Sequence, residues 1–152
     1  MPSYLVMWVH LVALVVFVGS HMFLGLVVRP LAAGSPENAE LLRRIGRRGK
    51  TVAWGGLVLV LITGFFNLLN EGGSTRIESL WGGVLMLKLL LVLVLVGLAV
   101  VHDFILDPYG PGADRGPATR VAARARNAAR VQVAIIIVAV VVLLVAAYLA
   151  RM

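Results

Sequence analysis

Residues Leu80–Leu106 read LWGGVLMLKLLLVLVLVGLAVVHDFIL. This run of 27 residues is broken only by Lys88, His102 and Asp103. At about 1.5 Å per residue it is long enough to cross the hydrocarbon core of a bilayer, which takes about 20 residues. Backbone groups in lipid find no water, so the run must be a helix that satisfies them internally. Three more runs lie around it: 4–28, 52–69 and 131–150. The composition agrees, at 61% hydrophobic and 14% charged, against roughly half and a quarter in soluble domains. The sequence predicts an all-α fold: one integral membrane domain over 1–152, a four-helix transmembrane bundle with spans near 4–28, 52–69, 80–106 and 131–150.

The connections carry their own signals. Arg29-Pro30 is expected to end the first span. Ser35-Pro36-Glu37 reads as a helix start, with Ser as N-cap and Pro at the first helical position. It predicts a short interfacial helix over about 36–48. Residues 70–74, Asn-Glu-Gly-Gly-Ser, form a turn signal, and 107–112 stop the third run. The fourth helix is expected to begin near Pro117, outside the membrane. The first run has no basic segment before it and is too long for a signal-peptide core, so it reads as a retained span.

Basic residues set the topology. Arg29, Arg43, Arg44, Arg47, Arg48 and Lys50 flank or fill the first connection, and Arg115, Arg120, Arg124, Arg126 and Arg130 the third. Arg76 and Arg151 are alone on the other side. Eleven against two predicts both basic connections in the cytoplasm and both termini on the extracytoplasmic side. Trp8, Trp81 and Tyr148 then fall near the outer interface and Trp54 near the inner one. The formal charge of +7 reads as headgroup contact rather than nucleic-acid binding, and the location expected is a prokaryotic cytoplasmic membrane. The absence of cysteine excludes disulfides, thiolate metal sites and c-type haem attachment. There is no hydrolytic triad, phosphate loop or intramembrane carboxylate pair.

Polar groups inside a membrane are costly, and the candidates are His10, His21, Lys88 and His102. His10 and His21 are 11 residues apart, so they share a helix face about 16 Å apart. Lys88 and His102 are 14 apart, about 21 Å along the axis. Depth pairs His10 with Lys88 toward the outside and His21 with His102 toward the inside, if the first and third helices face each other. The plain alternatives are hydrogen bonding between helices, a snorkelling lysine, and an interfacial polar step at His102-Asp103. Met7 and His10 share a face and Met86 is close in depth, and thioether with imidazole suits Cu(I). The plain reading of those methionines is core filler. Thr63, Asn67, Asn70 and the glycine pairs 55–56 and 82–83 read as packing devices.

His10, Gly19, Phe23 and Pro30, then Thr63-Gly64, then Trp81 followed by Lys88, resemble the transmembrane domain of the copper-resistance D (CopD) family. The likeness covers the first three spans. The His-then-Lys placement also resembles HemJ-type protoporphyrinogen oxidases, four-helix membrane proteins associated with haem b, although their Leu-Pro-Arg segment is absent here. CopD proteins are usually larger, so the chain looks like a minimal version. The resemblance implies copper handling or haem-linked redox work and points to His10 and Lys88.

The expectation placed first is a small haem b protein with a redox or electron-transfer role. His21 and His102 would be its axial ligands, and Arg29 with the arginines of the fourth helix its propionate partners. His10 and Lys88 would form a second site, for a quinone, a porphyrin or another haem, with His10 as haem ligand the competing assignment. The first alternative is a copper-binding or copper-transport protein using Met7, His10 and Met86. The second is an accessory subunit of a larger membrane complex.

Overall fold

The structure, a computed structural model, describes residues 2–34, 37, 39–70, 78–110, 112–113 and 115–151. Among the described residues there is no strand. Helix α1 covers Pro2–Phe23 and passes through a wide π-turn, Leu24–Val28, into α2, Arg29–Gly34. Helix α3 covers Ala39–Asn70. Helix α4, Leu80–Val100, ends in a second wide turn, Val101–Leu106, and α5 covers Ala118–Leu149. Four segments are long and apolar enough to cross a membrane: Tyr4–Leu31, Glu40–Asn70, Leu80–Leu106 and Ala118–Leu149.

The helices present apolar side chains outward. Val15, Phe65, Leu93 and Leu144 are all well exposed, which suits lipid as surroundings and no aqueous solvent. The central cluster combines one aromatic ring with smaller groups: Phe17, Ala53, Leu57, Leu95, Ala99, Ile135 and Ala139. The first span packs along the second, the third along the fourth, and the fourth also touches the first. The first and third therefore face each other across the bundle axis. Close approach of α1 and α3 depends on Gly56, where a Cβ would stand 3.0 Å from the Ala13 carbonyl oxygen and 3.1 Å from the Phe17 nitrogen.

Several boundaries differ from expectation. The chain does not leave the helix at Arg29-Pro30 but stays helical to Gly34. A proline ring crowds the carbonyl four residues earlier, and the wide turn immediately before Pro30 gives it space. The expected interfacial helix over 36–48 is not a separate element. Helix α3 runs unbroken from Ala39 through the second span, because no proline interrupts it and tertiary contacts hold the glycine-containing basic part down. The Tyr109 ring lies on Gly46, where a Cβ would come within 2.3 Å of it, and Leu24 lies on Gly49. The helix-start signature at Ser35-Pro36 and the turn at 71–74 fall outside the described residues. Helix α5 does begin after Pro117, as expected. Trp81, at the start of the third span, is buried against Leu85 and Leu149.

Both wide turns sit at the ends of their spans that adjoin the basic connections, and their carbonyls are taken up by side chains. The Tyr109 hydroxyl donates to Leu24 O at 3.2 Å. Lys50 donates to Asp103 O, and Arg124 to Leu106 O. The third span ends where Asp107 adopts a left-handed conformation at φ 37°.

Candidate functional site

His21 lies in the last turn of α1 and is 1% exposed. From α5, the Gln132 amide donates to His21 O at 2.7 Å and lies 3.3 Å from His21 Nδ1. Gly25 makes this reach possible, since a Cβ there would meet Gln132 Cγ at 3.0 Å. An amide N–H facing Nδ1 makes that nitrogen an acceptor and leaves the proton of a neutral ring on Nε2. His21 Nε2 has no hydrogen-bond partner and no contact with solvent. A buried donor without an acceptor costs about 1–3 kcal/mol.

What faces His21 across the bundle is His102. The two ring centroids are 6.1 Å apart with planes at 76°. His102 and Asp103 are both buried in the second wide turn. His102 Nδ1 donates to Asp103 Oδ1 at 2.6 Å, and Trp54 Nε1 donates to Asp103 Oδ2 at 2.7 Å. Both carboxylate oxygens are thus occupied by N–H groups. The first of these bonds fixes the His102 tautomer and leaves Nε2 as its basic nitrogen, the arrangement in which a carboxylate orients a metal-binding imidazole. Lys50 completes the layer. It donates to Asp103 O, pairs with Asp107 Oδ1 at 3.4 Å and stands 4.5 Å over the Phe104 ring. On the outward side, Phe17 closes the pair with an edge contact to His21 at 4.7 Å.

Toward the other surface, His10 Nδ1 lies 2.9 Å from Thr63 Oγ1, whose hydroxyl proton is given to Leu59 O at 2.6 Å. Thr63 can then only accept, so His10 carries its proton on Nδ1 and a lone pair on Nε2. Gly64 leaves space for the ring, with His10 Cε1 3.2 Å from where its Cβ would be. The charge of Lys88 reaches His10. Met7 and Met86 are 52% and 50% exposed on the outer surface of the bundle, so the structure does not gather Met7, His10 and Met86 into a closed ligand set. Arg29 donates to Ala125 O and ties the first span to α5. Gly19 and Gly97 look onto open space, and Ala99 is part of the central cluster.

The residues not singled out in the sequence as part of the site are Asp103, Trp54, Gln132 and Lys50. Asp103 read as an interfacial step, Trp54 as an interface anchor and Lys50 as a topology charge. Gln132 had one available signal, an amide inside an otherwise apolar run. Among the described residues there is no group of three or more His, Cys, Asp or Glu side chains placed to hold a metal ion. The inner site is therefore a pair of imidazoles with partners behind them, suited to an ion of low coordination number or to a group that brings ligands of its own.

The profile of the family copper resistance protein D matches residues 43–149, more than two thirds of the chain. The chain belongs to the copper resistance protein D family. The matched segment holds the second, third and fourth spans, and with them Lys88, His102, Asp103, Trp54 and Gln132. His10 and His21 precede it. No curated protein and no solved structure gave a match. Membership of this family, with four helices able to cross a membrane, makes the chain an integral membrane protein of a copper-resistance family. The haem b expectation finds no support in these comparisons.

Proposed function

We propose that this CopD-family protein binds copper inside the membrane and passes it across, with His21 and His102 as the pair that holds the ion in the inner half of the bundle. The observation that carries this reading is the pair of buried imidazoles, His21 and His102, with ring centroids 6.1 Å apart, the first with an Nε2 that has no partner and the second held by Asp103. His10, with its basic Nε2, is the outer station, with Lys88 within range. In this reading the inner site lies on the cytoplasmic side of a prokaryotic cytoplasmic membrane with both termini outside, which the excess of basic residues in two connections supports. A reporter enzyme active only in the cytoplasm, fused to the C-terminus, should be silent; activity would reverse the topology.

The test of function is copper tolerance and copper content in cells. His21→Ala and His102→Ala should change both, while Met7→Leu and Met86→Leu should change neither. Unchanged tolerance and content in both histidine variants would refute the assignment.

A second reading, haem b on the same two histidines with Arg29 at its propionates and a quinone or porphyrin as partner, draws on the same juxtaposition and on the resemblance to HemJ-type oxidases. A reduced-minus-oxidised haem spectrum in the purified protein, lost in His21→Ala and His102→Ala, would put haem in place of copper. Stable copurification with other membrane subunits, without either metal, would make the chain an accessory subunit.

A further inference from the structure

We propose that residues 107–110 form a lid over the imidazole pair: Tyr109 plugs the bundle at its basic end, the structure is the closed state, and lifting the ring opens a way from water on that side to His21 and His102. The lid governs access to the pair and does not depend on what the pair holds.

The lid is anchored on both segments that carry the imidazoles. At its root the Asp107 N–H donates to His102 O at 3.0 Å. At its tip the Tyr109 hydroxyl donates to Leu24 O at 3.2 Å, about one helical turn beyond His21. Three residues thus reach from one imidazole's segment to the other's. On the opposite side of the pair Phe17 makes its edge contact with His21, so the two rings are covered from both directions.

The seat is made for a removable ring. Tyr109 is 8% exposed, although a turn that follows a span ordinarily faces water. Its ring packs with Leu24, Val28 and Leu42 and lies on Gly46, where a Cβ would come within 2.3 Å of it. Gly49, about one turn along α3, is covered by Leu24. Helix α3 gives up its own side chains at both positions, and the recess is filled from elsewhere in the chain. With the ring lifted, bare backbone at Gly46 lines the opening.

The turn itself is preformed, and its fastenings are light. Asp107 is left-handed at φ 37°, the Gly110 N–H donates to Asp107 O at 3.1 Å, and a Cβ on Gly110 would stand 1.7 Å from Asp107 Oδ2. The turn therefore moves as a unit about its root at His102 O. Lys50 pairs with Asp107 at 3.4 Å, the two side chains being 23% and 33% exposed, and Arg124 reaches Gly112 O at 3.4 Å. A partly exposed ion pair and long hydrogen bonds are individually weak, so the lid opens without the spans parting.

The experiment is deuterium exchange at the imidazole C2 carbons, read by mass spectrometry on the full chain in lipid nanodiscs with no metal added. Exchange requires water at the ring, and His10, in the other half of the bundle, is the internal reference. Tyr109→Ala should speed exchange at His21 and His102 by about tenfold or more and leave His10 at its wild-type rate. Tyr109→Phe keeps the plug and loses the tether. Asp107→Asn keeps the left-handed turn, which asparagine tolerates, and loses the ion pair. Each of these should speed exchange at the pair by about two- to fivefold. Wild-type rates at His21 and His102 in Tyr109→Ala, or equal acceleration at all three histidines, would overturn the lid. If Tyr109→Ala fails to fold, unchanged rates at the pair in both Tyr109→Phe and Asp107→Asn overturn it instead. Because no metal is used, failure of the lid leaves the copper reading standing, and absence of copper binding leaves the lid standing.

Discussion

Asp103→Asn is the most informative single change. Asparagine keeps the shape of the side chain but offers one acceptor oxygen and an NH2 group where the carboxylate offered two acceptors. The His102 N–H at 2.6 Å and the Trp54 N–H at 2.7 Å both need an acceptor. Whichever way the amide turns, one N–H faces another. The variant loses a charge-assisted hydrogen bond, worth about 1.5–3 kcal/mol, and leaves a buried donor unmatched. Relief of carboxylate desolvation offsets part of that, so the expected loss of stability is about 3 kcal/mol. For a chain of this size that corresponds to a fall in Tm of about 6–12 °C. Copper affinity should fall by about 10–100-fold, because the imidazole loses its fixed tautomer. Thermal unfolding in nanodiscs and chelator competition measure the two effects, and Trp54 emission reports the severed indole bond. Wild-type stability together with wild-type copper affinity in Asp103→Asn would refute the orienting role of the carboxylate.

Three other outcomes follow from the geometry. Burial raises the Tyr109 phenol from its ordinary 10 to about 12, so the folded state favours the protonated form; stability should hold below pH 10 and fall by about 2–3 kcal/mol between pH 10 and 12. Urea or SDS titrations across that range should show the step in wild type and not in Tyr109→Phe. Gly46→Ala places a methyl 2.3 Å from a ring carbon of Tyr109, whose hydroxyl is tethered to Leu24 O, and should cost about 1–3 kcal/mol by overpacking, read as a lower Tm; an unchanged Tm would mean that the ring is free to leave. Thr63→Val removes the acceptor of His10 Nδ1–H and should alter copper uptake through the outer station while copper bound at the inner pair stays at wild-type stoichiometry; metal analysis of the purified variant checks the second half.

Span number and helical class were legible because they depend on length and apolarity alone. The ends of the spans were less so. Pro30 and Gly46 are local breakers in general, but a wide turn accommodates the first and the Tyr109 ring packs on the second, and neither compensation is written nearby in the chain. For the site, counting depth along regular helices was enough to set His21 beside His102, since axial position is a one-dimensional quantity. Rotation was not recoverable for Trp54, Lys50 and Asp103. Each has a common surface use, and the structure turns each inward through a partner 49 or 53 residues away. Rotation was not legible for the methionines either: Met7 and Met86 agree in depth, and both stand about half exposed.

The wide turn Val101–Leu106 is in effect an α-helix with one residue slipped in. The extra residue underwinds the chain below the roughly 100° per residue of a regular helix, which brings the side chains of His102 and Asp103, both buried, closer to one face. It also resets the phase of everything beyond it, including the turn at Asp107 that Lys50 grips. This end of the third span can thus be rewound by a single added or lost residue while the part before Val101 keeps its register, so the layer of His21 and His102 and the lipid-facing stretch of the span are free to change independently of each other.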